Sequence, residues 1–160
     1  MTIKQGDTLP QVSLVKVTAA GPERVDSRSY FAGRRVALFS VPGAFTPTCS
    51  ARHLPGFVER ADEIRAGGVD EIACTAVNDA FVMAAWAKAA AVGDKVTMLA
   101  DGNGDFARAL GLVMDGSAHG LGQRGQRWSM LVDDGAVAIL NLEAPGEFRA
   151  SSAETLIGQL

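Results

Sequence analysis

Cys49 closes a short run, Val41-Pro42-Gly43-Ala44-Phe45-Thr46-Pro47-Thr48-Cys49, that follows the apolar segment Val36-Ala37-Leu38-Phe39. A buried-strand pattern passes into a Pro/Gly-rich turn, and the turn ends on a thiol where a helix should begin. The first turn of a helix leaves four backbone N–H groups without partners. Their dipoles favour S⁻ over S–H. Thr46, three residues upstream, is placed to turn its hydroxyl back toward the sulfur. Thr48 brings a second hydroxyl, and Pro42 and Pro47 stiffen the approach. A free cysteine is commonly a small buried apolar residue, but in this turn the thiol reads as a nucleophile.

What is missing narrows the chemistry. No second cysteine follows at Cys-x-x-Cys spacing, which argues against a dithiol exchanger. His53 lies four residues after Cys49 and could share its helix face. A helical neighbour rarely makes the oriented base of a Cys–His hydrolase, so His53 reads as a surface or packing residue, or a local electrostatic aid. Cys49, His53, Cys74 and His119 are too dispersed for an ordinary zinc set, and no metal is expected. Gly102-Asn103-Gly104 and Gly120-Leu121-Gly122 do not follow strands in the dinucleotide fingerprint. Arg127, with Arg124 nearby, has no role that residue type alone would choose over a solvated strand-end charge.

The elements that must position Cys49 are legible in outline. Leu9 to Val17 alternates as early strands near an edge, and Arg34 to Ser40 reads as a strand buried on both faces. Leu54, Phe57, Val58, Ala61 and Ile64 fall at helical steps from Cys49 to Ala66, with Gly67-Gly68 as the stop and Pro55 as an internal kink. Val69–Val77 is the next strand. Asn78-Asp79 caps a helix from Ala80 to Ala91, in which Phe81 and Trp86 read as core. Val96–Ala100 is a strand. Asp101 is a turn or cap residue, and Asp105 to Leu110 is a short helix. Trp128–Val132 and Ala136–Leu142 form a hairpin across Asp133-Asp134-Gly135, and Ser151 with Glu154 makes a capping box for a last helix. Strands alternating with helices, then a hairpin and helix, predict an α/β sandwich with a mixed sheet in one domain, residues 1–160.

Pro42-Gly43-Ala44-Phe45-Thr46-Pro47-Thr48-Cys49, followed by His53-Leu54-Pro55-Gly56-Phe57, resembles the active-site signature of peroxiredoxins, in the form of their atypical or type II (peroxiredoxin-five-like) branch. The likeness continues through Val77 to Val82, Trp86, Leu99-Ala100-Asp101, Arg127 to Met130 and the tail from Gly146. It implies a thioredoxin-like fold and a thiol peroxidase acting on hydrogen peroxide and organic hydroperoxides. On that pattern Cys49 is the peroxidatic nucleophile and Thr46 donates to the peroxide. The N–H of Cys49 adds a backbone donor, Arg127 holds the thiolate and polarises the substrate, Pro42 shields the sulfur, and Thr48 joins the substrate site. Mammalian members carry a resolving cysteine near the C-terminus; here Glu147-Phe148-Arg149-Ala150-Ser151-Ser152 has no sulfur. Cys74, inside an apolar strand, is a doubtful resolver. The resemblance therefore implies a one-cysteine cycle with no cofactor, drawing on glutathione or glutaredoxin (or thioredoxin) as reductant. A homodimer is also implied, with Phe45 packing across the subunit boundary or else in the core.

Composition agrees with that class. The chain has 160 residues, 48% hydrophobic content and a net charge of −3, enough for a sizeable core and unsuited to nucleic acid or an anionic membrane. No apolar run reaches the roughly 20 residues of a spanning helix, and the N-terminus lacks the apolar core of a signal peptide. Two cysteines argue for reduced thiols and a cytoplasmic setting. Two other readings stay open from residues alone: a thiol–disulfide oxidoreductase, and a redox-sensing or chaperone-like binding protein with Cys49 as its switch.

Overall fold

The apolar run ahead of the cysteine turn is the spine of the molecule. In the computed structural model, which describes residues 2–160, it forms β3 (Arg35–Ser40), preceded by β1 (Ser13–Thr18), β2 (Gly21–Asp26) and α1 (Ser27–Phe31). After the cysteine turn come α2 (Leu54–Glu59), α3 (Ala61–Ala66), β4 (Glu71–Ala76), α4 (Ala80–Ala89), β5 (Thr97–Ala100) and α5 (Asp105–Leu110). A small antiparallel ribbon, β6 (Val113–Asp115) with β7 (Gln123–Gly125), precedes the hairpin β8 (Trp128–Asp133) and β9 (Ala136–Leu142), and α6 (Ala153–Gln159) ends the chain. Seven strands make one sheet in the order β2-β1-β5-β4-β3-β8-β9. β3, β4 and β5 run parallel, while β1 and β8 are antiparallel to their neighbours. This is the expected thioredoxin-like α/β architecture with a mixed sheet.

Strand alternation divides β3 between two cores. Ala37 and Phe39 face a cluster with Leu54, Phe57, Ile64, Met83, Trp86 and Leu156, drawn from α2, α3, α4 and α6. Val36 and Leu38 face the other side, with Tyr30, Phe31, Phe106, Leu110 and Trp128. Cys49 and Cys74 both belong to the first cluster. The cysteine turn leaves the C-terminal end of a central strand whose faces are covered, so its footing is rigid.

Four expectations need correction. The segment from Cys49 to Ala66 is not one helix. Pro47 and Thr48 are already helical, Cys49–His53 takes π-helical geometry, and the chain leaves helical geometry at Arg60 before α3. The N–H of Leu54 bonds to the carbonyl of Cys49, five residues back. Pro55 accounts for this widening: it has no N–H, and its ring crowds the preceding turn. The last helix is capped one residue on by a simple N-cap, where Ser152 accepts from the N–H of Thr155 at 3.1 Å; Glu154 makes no capping box, and Ser151 is engaged elsewhere. Phe81 is not core but 76% exposed. β2 has no counterpart in the expected elements, because Pro22 and a polar run hide an edge strand from pattern reading.

Candidate functional site

The turn that delivers Cys49 is held from three sides. Asn78, just after β4, accepts from the N–H of Ala44 at 2.9 Å. Arg124, on the ribbon, donates to the carbonyls of Pro42 (3.3 Å) and Leu121 (2.9 Å). A Cβ on Gly43 would stand 2.7 Å from Arg124 Nη1, so a side chain there would have to displace the end of the Arg124 side chain. Phe45 adopts φ +65°, an uncommon conformation for a bulky residue, with its ring 54% exposed. Its core alternative is thereby set aside. Pro47 then opens the helix, and the N–H of Ser50 bonds back to the carbonyl of Thr46 at 2.9 Å.

Cys49 is fully covered, and Arg127 meets it across the site. One guanidinium nitrogen, Nη2, donates to Cys49 Sγ at 3.0 Å; the other, Nη1, donates to His53 Nδ1 at 2.9 Å. Cys49 and His53, four residues apart in sequence, present sulfur and imidazole to the two prongs of a single planar fork. Arg127 is therefore no solvated strand-end charge. It is half-buried. Its positive charge lies directly beside the sulfur.

Of the readings open to His53 (surface residue, packing residue or local electrostatic aid), burial removes the first. His53 is wholly buried, between the rings of Phe39 (4.9 Å), Phe57 (5.7 Å) and Phe148 (5.0 Å). Its Nε2 bonds to the carbonyl of Ser151 at 2.8 Å. A carbonyl only accepts and a guanidinium only donates, so the partners assign one tautomer: neutral, with the proton on Nε2. Burial first, and the Arg127 charge second, lower its pKa to about 3.

The remaining expected residues fall into place unequally. Thr46 does not turn its hydroxyl proton to the sulfur; it donates to the carbonyl of Gly43 at 2.7 Å, leaving oxygen lone pairs to accept. Pro42, Thr48, Arg52 and Arg127 line a cavity of about 550 Å³ with Met114, Pro145 and Phe148. Arg52 stacks its guanidinium on the Phe148 ring at 4.7 Å. Cys74 is fully buried in β4, in register with Phe39, and both cysteines are free. Burial, and then the nearby Cys49 charge, push the Cys74 thiol well up despite Arg127.

Residue type had hidden Asn78, Glu143 and Ser151. Glu143, just after β9, gathers the N–H groups of Arg149, Ala150 and Ser151 and the Ser151 hydroxyl at 2.7–3.0 Å. Burial raises its pKa, but those hydrogen bonds, Ser151 foremost, outweigh it and hold the carboxyl below the usual range. Asp101 serves as the cap expected of it, accepting from Phe106 and Ala107 at the start of α5. Among the described residues no three His, Cys, Asp or Glu side chains cluster as metal ligands, and no helix is long and apolar enough to cross a membrane.

The family model described as Redoxin matches residues 4–157. Peroxiredoxin-2E-2, chloroplastic, of Oryza sativa subsp. japonica is 51% identical over 164 residues, 99% of this chain and 73% of that protein. Peroxiredoxin-2B of Arabidopsis thaliana is 49% identical over 132 residues, 82% of each chain. Among solved structures, reduced Prx3 of Vibrio vulnificus in complex with H2O2 superposes with a TM-score of 0.95 at 49% identity, covering 99% of both chains.

Proposed function

Because the chain belongs to the peroxiredoxin family and is a thiol peroxidase that reduces peroxide, we propose that Cys49 is its peroxidatic cysteine and works in a one-cysteine, type II cycle. The observation that carries this reading is the Arg127 guanidinium donating to Cys49 Sγ at 3.0 Å at the edge of a cavity. Thiolate sulfur attacks one oxygen of the peroxide, an S–O bond forms, and the O–O bond breaks. Sulfur is oxidised to the sulfenic acid, and the other oxygen departs as hydroxide or alkoxide and takes up a proton. Thr46, its own proton committed to Gly43, accepts from the peroxide O–H and aligns the O–O axis with the sulfur. Arg127 donates where negative charge grows on the leaving oxygen, and Pro42 and Thr48 narrow the approach. Apolar Met114, Pro145 and Phe148 in the cavity wall suit an organic hydroperoxide as well as H2O2.

The sulfenic acid must then meet a second thiol. Cys74 is a poor candidate because it is sealed in β4 and its burial disfavours the thiolate. We assign the step to glutathione, with glutaredoxin, in a reducing cytoplasm and without a further cofactor. Glutathione sulfur bonds to Cys49 with loss of water, and a second glutathione releases the thiol as glutathione disulfide forms. Phe45 and Phe81, both exposed aromatics, fit a homodimer boundary. Intact mass after one equivalent of peroxide tests the reductant. Glutathione should add one adduct at Cys49, and Cys74→Ser should keep most turnover. An intramolecular disulfide that excludes glutathione would refute external resolution.

A further inference from the structure

His53 and Glu143 take no part in the bond changes above, yet each is buried and has its polar atoms engaged. Their hydrogen bonds form a closed circuit. The carbonyl of Arg127 accepts from the N–H of Glu143 at 3.1 Å. The Glu143 carboxylate holds the N–H and hydroxyl of Ser151, both at 2.7 Å. The Ser151 carbonyl accepts from His53 Nε2 at 2.8 Å, and His53 Nδ1 accepts from Arg127 Nη1 at 2.9 Å. The circuit thus begins at the Arg127 backbone and returns to the Arg127 side chain.

We infer that His53 and Glu143 are positioning residues for the peroxidatic step: the Glu143-gathered loop locks the His53 tautomer, and His53 locks the Arg127 fork onto Cys49. Burying an imidazole has a desolvation cost that an apolar side chain of similar volume would avoid. The cost is offset only because both nitrogens are bonded. Phe39, Phe57 and Phe148 occupy the other directions, so the ring has two polar contacts and no third. Arginine side chains lose much rotamer freedom when fixed. With Nη1 anchored, Nη2 stays on the sulfur and does not drift into the cavity that Arg127 lines. A carbon at the Nδ1 position would remove that anchor while filling the same space.

This role rests on Cys49 being the sulfur that meets peroxide, so the test reads Cys49 in two ways. Peroxide oxidation is timed by rapid mixing, and iodoacetamide alkylation is followed against pH with peptide mass mapping. The second readout reports the thiolate with no peroxide present. Glutamine places its amide nitrogen where His53 Nε2 lies but has no acceptor at the Nδ1 position; asparagine places its amide oxygen at Nδ1. His53→Gln should slow Cys49 oxidation by about 30-fold and raise the pH midpoint of alkylation, whereas His53→Asn recovers most of the rate. In an Arg127→Gln background, His53→Gln should remove less than about threefold more, because its effect passes through Arg127. Glu143→Gln should give a smaller slowing of the same kind. Equal losses in the two His53 variants, independent effects of His53→Gln and Arg127→Gln, or wild-type alkylation in His53→Gln would overturn the inference. Slow oxidation of wild-type Cys49 itself would instead count against the assignment of Cys49, not against the circuit.

Discussion

In the proposed mechanism, two side chains do unlike work at the sulfur. Arg127 supplies charge, and its role is geometric only in that its fork must reach both Cys49 and His53. Thr46 supplies direction. Its hydroxyl proton goes to the Gly43 carbonyl, so the oxygen is an acceptor of fixed orientation before substrate arrives. Thr46→Ser should therefore keep most of the oxidation rate, since the hydroxyl remains. Thr46→Val should lose on the order of 100-fold, the size seen when one preorganised polar contact is removed from a transition state. Reduction of the glutathione adduct should be unchanged, because that step does not use the peroxide alignment. Rapid-mixing kinetics of the two half-reactions, measured separately, check both statements. A Thr46→Val enzyme that oxidises at the wild-type rate would show that Thr46 only shapes the turn.

At the level of elements, the parts with strong local signals were read correctly and the parts set by tertiary contact were not. The β8–β9 hairpin, α5 ended by Gly111 in the left-handed region, and the Asp79 cap of α4 follow from turn and cap chemistry written into a few adjacent residues. Cys49 stands out from the turn-to-helix context alone, whereas Arg127 and Pro42 are marked only by the motif, and the geometry then supplies the relation of Arg127 to the sulfur. Pro55 announced a disturbance, but whether a proline produces a bend or a widened turn depends on which carbonyl it crowds. The site lost most legibility where partners lie far apart in sequence. His53 bonds to Ser151 and Arg127 across 98 and 74 residues, and Asn78 reaches Ala44 across 34. Nothing local distinguishes such a histidine from a packing residue. Ser151 misled for the same reason: as a sequence it caps a helix, while in the fold it belongs to Glu143.

Over the whole molecule, the buried circuit should make acid stability depend on His53. Its pKa falls from 6.5 in the open chain to about 3 here, chiefly through burial and then Arg127. A lowered histidine pKa means that the unfolded chain binds the proton first. The native state thus has full benefit above pH 6.5 and loses it progressively as pH falls toward 3. Glu143 and Glu71, each held low by hydrogen bonds that outweigh burial, act in the same direction further into acid; Asp101, raised by burial, opposes them. Chemical denaturation should show a loss of about 2 kcal/mol between pH 7.5 and 5.0 from His53. His53→Gln should flatten that slope. A wild-type stability unchanged over this range would mean that His53 takes up its proton without disturbing the circuit.

The central claim is that Cys49 is a thiolate held ready for peroxide, and its most direct test is the rate at which that sulfur is oxidised. Trp86 donates its indole N–H to Ser50, the residue beside Cys49, at 3.0 Å and gives a local fluorescence signal. Wild-type protein mixed rapidly with H2O2 at neutral pH should form sulfenic acid at Cys49 at least about a thousand times faster than free cysteine reacts, corresponding to about 4 kcal/mol of transition-state stabilisation. Arg127→Gln should erase most of that gain. A Cys49 that reacts no faster than free cysteine, or oxidation that maps to Cys74 instead, would contradict the account.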